Sequence, residues 1–131
     1  MTADNPGQTR RCVNLPGRPQ LPFSDAVLVG DTLYISGRIG IDPKTGVAAT
    51  AVEEELQLLF DEFAAVLALV QMTMDDLVWV QVFSPDLSLW EPFNAAYVRR
   101  FSRDFPARAF IGSGPLLKNG RFEMLGVASR R

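Results

Sequence analysis

The chain has 131 residues, 47% hydrophobic and 21% charged, with a formal net charge of −2. That is the size and make-up of one ordinary globular domain, and with no basic stripe a nucleic-acid partner is not expected. There is no histidine and one cysteine, Cys12, which excludes an internal disulfide, Ser-His-Asp and Cys-His nucleophile systems, His-ligated metals and thiolate zinc sites.

Residues 1–20, "MTADNPGQTRRCVNLPGRPQ", read as an irregular lead-in to a single domain over 21–131. The lead-in lacks the apolar core of a secretory signal, and no apolar run reaches the roughly 20 residues that span a bilayer. A cytoplasmic protein with no membrane partner is expected, and Cys12 reads as an inert surface thiol. Two β-rich runs, 26–29 and 32–36, flank Gly30-Asp31, a turn of the Gly-X type that hairpins favour. "GIDPKTG" (40–46) is turn chemistry around Pro43 and Gly46.

Residues 51–71 read as a helix, with Val52, Leu56, Leu59, Phe60, Phe63 and Leu67 recurring at spacings of three and four. Glu53, Glu54 and Glu55 suit its positive end and read as a solvated start rather than a metal site. "LVWVQVF" (77–83) is a dense run of β-formers and reads as a central strand ended by Pro85 and Asp86. Residues 88–104 form a second predicted helix. Its stripe of Trp90, Phe93, Tyr97 and Phe101 reads as core, while Arg99, Arg100 and Arg103 face water. "ARAFIG" (107–112) and "RFEMLGVAS" (121–129) are the last strands, with Asn119-Gly120 suited to a tight turn between them.

The order β-β-α-β-α-β-β predicts an α+β domain, a sheet with two helices on one face. The strand at 77–83 is apolar on both sides, Leu77, Trp79 and Phe83 alternating with Val78, Val80 and Val82. Its second face needs a cover, since large exposed apolar patches mark interfaces. A homo-oligomer is therefore expected.

"FPARAF" places Arg108 inside an apolar strand, and a guanidinium that leaves water needs an acceptor. In 121–129 the period-2 alternation puts Phe122, Met124, Gly126 and Ala128 on one face and Arg121, Glu123, Leu125 and Val127 on the other. Glu123 thus also keeps apolar company. Two readings stand side by side. One is an internal Arg108–Glu123 ion pair. The other is a pocket in which Arg108 grips a substrate carboxylate bidentately and Glu123 exchanges protons with water. Ser36-Gly37 ends a strand, where free amides could meet a ligand or merely turn the chain. Asn94 sits mid-helix, where Asn is disfavoured, and either bonds a neighbouring loop or a ligand. Phe23 either caps a pocket or packs. "GSG" (112–114) lacks the phosphate-loop pattern.

Taken together, "LPFSDAVLVGDTLYISGRIGIDPKTG", "DLVWVQVFSPDLSLWEPFNAAYV", "FPARAF" and "FEMLGVA" resemble the reactive-intermediate deaminase family, also called RidA or YjgF. The resemblance runs from about Leu21 to the C-terminus. It implies a chorismate-mutase-like fold, a homotrimer whose sheets form a central barrel with clefts between subunits, and hydrolysis of 2-imino acids or enamines to 2-keto acids and ammonia. It implies no metal and no organic cofactor. Residue by residue, it assigns Arg108 to the substrate carboxylate and Glu123 to the water. Ser36, Gly37, Asn94 and Phe110 would border the site. Phe23 stands where many members have tyrosine, and "SGRIG" replaces a common "SGQIP", which adds Arg38. Leu125 replaces a second glutamate. Arg38 raises the alternative of a dicarboxylic, aminomuconate-type substrate. Two other classes compete: a non-catalytic trimer that binds small carboxylates, and an RNA-cleaving or translation-inhibiting protein, which the net charge and the lack of histidine disfavour.

Overall fold

The computed structural model describes residues 9–131. Its elements in chain order are β1 (Arg10–Val13), β2 (Ala26–Val29), β3 (Thr32–Arg38), β4 (Ile41–Asp42), β5 (Val47–Ala48), α1 (Val52–Ala68), β6 (Leu77–Ser84), α2 (Trp90–Tyr97), β7 (Ala107–Gly112) and β8 (Glu123–Ser129). Six strands form one sheet in the order β1-β2-β3-β8-β6-β7. Among the described residues only the β6–β7 pairing is parallel, and the helix that a parallel connection calls for is α2. The α+β class expected from the element order holds.

The expected β2–β3 hairpin forms, with Val29 opposite Thr32 and Gly30 at φ 57°, a backbone state that glycine reaches without strain. The "DPKTG" turn carries a small hairpin, β4 with β5. Asp42 organises it by accepting from the Lys44 amide and, through its carbonyl, from the Gly46 amide.

Three expectations need correcting. The lead-in is not wholly irregular: β1 pairs antiparallel with β2, Cys12 opposite Val27. "RRCV" shows no apolar alternation because it is a mostly exposed edge strand, held by backbone hydrogen bonds rather than burial. Residues 1–8 of the lead-in lie outside the described residues. The second helix is shorter than 88–104. Only Trp90–Tyr97 is α-helical, with single 3₁₀ turns at Leu87–Leu89 and Val98–Arg100. It stops there because Asp75 takes both the amide and the hydroxyl of Ser102. Finally, β6 does not alternate evenly. A bulge at Val78 inserts one residue, so Leu77 falls on the same face as Val80 and Val82.

Both helices cover one face of the sheet. Leu56, Leu59, Phe60, Phe63, Val66 and Leu67 of α1 and Phe93 of α2 are fully buried against Val80, Val82 and Met124. The other face carries a row Tyr34–Val127–Trp79 and a row Glu123–Phe83–Ile111 across β3, β8, β6 and β7. Tyr34 is 52% exposed, Ile111 40% and Trp79 36%. Among the described residues, no helix is long and apolar enough to cross a membrane.

Candidate functional site

Arg108 lies on β7 opposite Val80 of β6, and its side chain turns to the helix-covered side. It meets α2 there. Its Nη2 donates to Asn94 Oδ1 at 2.8 Å, which explains a helical asparagine better than a loop contact does. The guanidinium carbon sits 5.0 Å from the Trp90 ring centroid, 5.4 Å from Phe93, 4.7 Å from Tyr97 and 5.9 Å from Phe110. Such rings attract the cation through their π faces. No carboxylate among the described residues pairs with it. Burial pushes the Arg108 pKa below its usual value, with Tyr97 pulling the other way. The result is a half-buried cation, oriented and without a counter-charge.

Glu123 opens β8 opposite Phe83. Its neighbours are Ser36 and Gly37, where β3 breaks register with β8 between Ile35 and Arg38. A Cβ built on Gly37 would lie 2.2 Å from Glu123 Oε2, so the missing side chain is what lets the carboxylate rest on the β3 backbone. Ser36 is held in turn by its hydroxyl, which donates to the Ser24 carbonyl at 2.6 Å. A cavity of about 560 Å³ opens here, lined by Phe23, Ser36, Gly37, Leu117, Lys118 and Glu123 among others.

Within one chain these are two separate groups. Val80 and Phe83 differ by three positions on β6, so Arg108 and Glu123, their respective partners, point to opposite faces of the sheet. The internal Arg108–Glu123 ion pair is therefore not formed. Asn94 and Phe110 join the Arg108 group, while Phe23, Ser36 and Gly37 join the Glu123 group.

Arg38 lines the same cavity, but its side chain is only 4% exposed and already has carboxylates of the chain's own. Nη2 pairs with Asp25 Oδ1 and Nη1 lies 3.5 Å from Glu62 Oε2. Asp25 also accepts from the Leu15 amide at 2.8 Å. Burial lowers the Arg38 pKa, Asp25 opposes that, and Arg18 adds to it. The charge fastens the segment before β2 onto β3 and α1. A second acidic group of a dicarboxylic substrate would have to compete there with Asp25 and Glu62.

The sequence reading missed three features. Glu55 is not solvated. It is fully buried and accepts from the Arg121 amide at 2.7 Å and Arg121 Nε at 2.6 Å. The available signal was spacing, since Glu55 lies four residues before Leu59 on the apolar stripe. Trp90, read as core, is 48% exposed beside Arg108. Lys118 and Leu117 reach the Glu123 cavity from a turn whose local sequence carries no ligand motif. Among the described residues no group of three His, Cys, Asp or Glu side chains could hold a metal ion.

Tyr97 offers a direct check on the Arg108 surroundings. Burial, opposed by the Arg108 charge, pushes its phenol up to about 12, and its hydroxyl has no hydrogen-bond partner of good geometry. A folded-state value above the unfolded one, about 10, means the neutral phenol contributes stability that is complete below about pH 10 and is lost as pH rises towards 12. The chain has two tyrosines, so Tyr34→Phe leaves Tyr97 alone. Its tyrosinate absorbance should rise only above pH ~11, together with loss of the folded signal. Ionisation near pH 10 in a still-folded protein would contradict this burial.

The family model described as Endoribonuclease L-PSP matches residues 16–130. A 2-iminobutanoate/2-iminopropanoate deaminase from Dermatophagoides farinae is 34% identical over 121 residues, covering 90% of this chain and 94% of its own. The Homo sapiens protein of the same name is 34% identical over 108 residues, covering 82% of this chain and 79% of its own. Among solved structures, RidA from an Antarctic Psychrobacter superposes with a TM-score of 0.83 at 28% identity, covering 92% of this chain and 99% of that one.

Proposed function

The chain belongs to the Endoribonuclease L-PSP family, the YjgF/RidA family, and on that premise we propose that it hydrolyses reactive 2-imino acids and their enamine tautomers to 2-keto acids and ammonia. The family includes proteins named imine deaminases. The observation that carries the reading is Arg108: a charged, half-buried guanidinium steered by Asn94 and four rings, with no carboxylate among the described residues paired with it. A ligand carboxylate completes that arrangement in the way a planar fork favours.

Arg108 holds the substrate carboxylate and draws electron density from the adjacent C=N carbon. Glu123 takes a proton from a water as its oxygen bonds to that carbon. The nitrogen takes that proton back from Glu123 and a second from the newly formed hydroxyl, the C–N bond breaks as the hydroxyl oxygen closes to C=O, and ammonia leaves. The substrate is already electrophilic, so placement and charge supply the rate gain.

Because Arg108 and Glu123 sit on opposite faces of one sheet, a common site needs Arg108 of one copy to meet Glu123 of another. A homotrimer supplies such clefts, and it buries the face that carries Tyr34, Trp79 and Ile111.

The test is keto acid release from imino acids generated in situ by an amino-acid oxidase, with light scattering on the same sample. Acceleration over buffer is expected, at a mass of three chains. A rate equal to buffer, with carboxylate binding intact, would instead make the protein a small-carboxylate binder. Gly37→Ala sharpens the test. A Cβ there collides with Glu123 Oε2 at 2.2 Å and lies 3.1 Å from Cδ, so the carboxylate must swing away. We expect kcat/KM to fall about tenfold with little change in the unfolding midpoint. Unchanged turnover would remove Glu123 from the water's path.

A further inference from the structure

The cavity beside Glu123 is rimmed by apolar side chains that the fold leaves open. Leu117 is 77% exposed, Phe23 56%, Leu21 46% and Ile41 37%. Its volume, about 560 Å³, is many times the ~30 Å³ share of one water, so a three-carbon substrate would leave most of it solvated. Leu117 is put there at a cost. The next two residues, Lys118 and Asn119, take φ 57° and 58°, a left-handed state that asparagine tolerates and that is strained for a lysine. The turn is anchored: the Gly120 amide donates to the Leu117 carbonyl at 3.0 Å, and a Cβ at Gly120 would lie 2.8 Å from Ile39 Cγ2. What this turn presents to the cavity is the Leu117 aliphatic side chain, with Lys118 next to it. Of the charges in the wall, Arg18 and Arg38 pair with Asp25 and Glu62, which leaves Lys118 and Glu123 outside any ion pair among the described residues.

We infer that the Leu117–Asn119 turn is a specificity element that selects substrates with bulky apolar side chains over short ones, the side chain entering the rim formed by Leu21, Phe23 and Leu117. This rests on the reading that a substrate carboxylate held at Arg108 brings its neighbouring carbon to Glu123. Leu117 acts on the substrate's tail and not on the reacting atoms.

Calorimetry with two keto acids, pyruvate and 4-methyl-2-oxopentanoate, tests it on the intact protein and on Leu117→Ala, with the oligomeric state followed by light scattering. The longer acid should bind wild type about 50-fold more tightly, as for three further buried carbons. The ratio should shrink to about fivefold in Leu117→Ala. Equal affinities, no binding of either acid, or a ratio untouched by Leu117→Ala would each overturn the inference. So would dissociation of the oligomer by Leu117→Ala, which would make Leu117 a subunit contact. Turnover is read separately. Hydrolysis with no tail preference refutes the inference and leaves the deaminase reading standing. Tail-selective binding without hydrolysis supports the inference and refutes the deaminase reading.

Discussion

Arg108→Ala is expected to lower kcat/KM for 2-imino acid hydrolysis by about 10³-fold while leaving the unfolding midpoint unchanged or slightly raised. These two outcomes distinguish a ligand-binding arginine from a structural one. A structural arginine leaves a buried acid behind when it is removed, and the protein is destabilised. Arg108 leaves none, because its hydrogen-bond partner is the half-buried Asn94 amide. Burial already lowers its pKa, so the folded protein bears a desolvation cost that the alanine variant is spared. Arg108→Lys should recover only part of the activity. An ammonium keeps the charge but loses the planar fork that sits near the Trp90 and Tyr97 rings. Steady-state assays beside thermal denaturation decide the matter. Wild-type kcat/KM in Arg108→Ala, or a large loss of stability with it, would end the proposed role.

The sequence announced both charged residues but not their relation. A charge in an apolar strand is legible, and so is the period-2 alternation that sets Glu123 opposite Met124 in facing. The face of Arg108 relative to Glu123 depends on the register of β6 with both β7 and β8, and no local pattern states that. The bulge at Val78 shows the difficulty, since one inserted residue reverses the facing of Leu77. Helix α1 was readable because its stripe repeats over several turns, whereas α2 ends early through a contact with Asp75, a side chain 27 positions before Ser102. The short edge strand β1 had no apolar signal to read. The Arg108 group was half visible. Asn94 is an odd residue for a helix interior, but the ring cluster around the guanidinium looks like any core stripe.

Arg121→Ala is expected to destabilise the protein by about 3 kcal/mol, as for the loss of one partner of a buried ion pair, and to lower the melting temperature by about 10 °C. Glu55 is completely buried and, among the described residues, its ion-pair partner is Arg121 alone, so the variant leaves its carboxylate without a counter-charge. Replacing both, as Glu55→Met with Arg121→Met, should restore most of the stability, because apolar groups of similar length fill the space without desolvating a charge. Activity should not return with it. Arg121 also donates to the Ala49 and Thr50 carbonyls at 2.6 and 2.9 Å, which ties the start of α1 to the entrance of β8, two residues before Glu123. Apolar contacts are not directional and would leave that entrance less exactingly placed, and small displacements at a reacting centre are expensive in rate. The double variant should therefore melt near wild type yet hydrolyse imines about tenfold more slowly. If stability and turnover recover together, the Glu55–Arg121 pair serves folding alone. If neither recovers, the space around Glu55 admits no apolar substitute, and the pair is required for the fold itself.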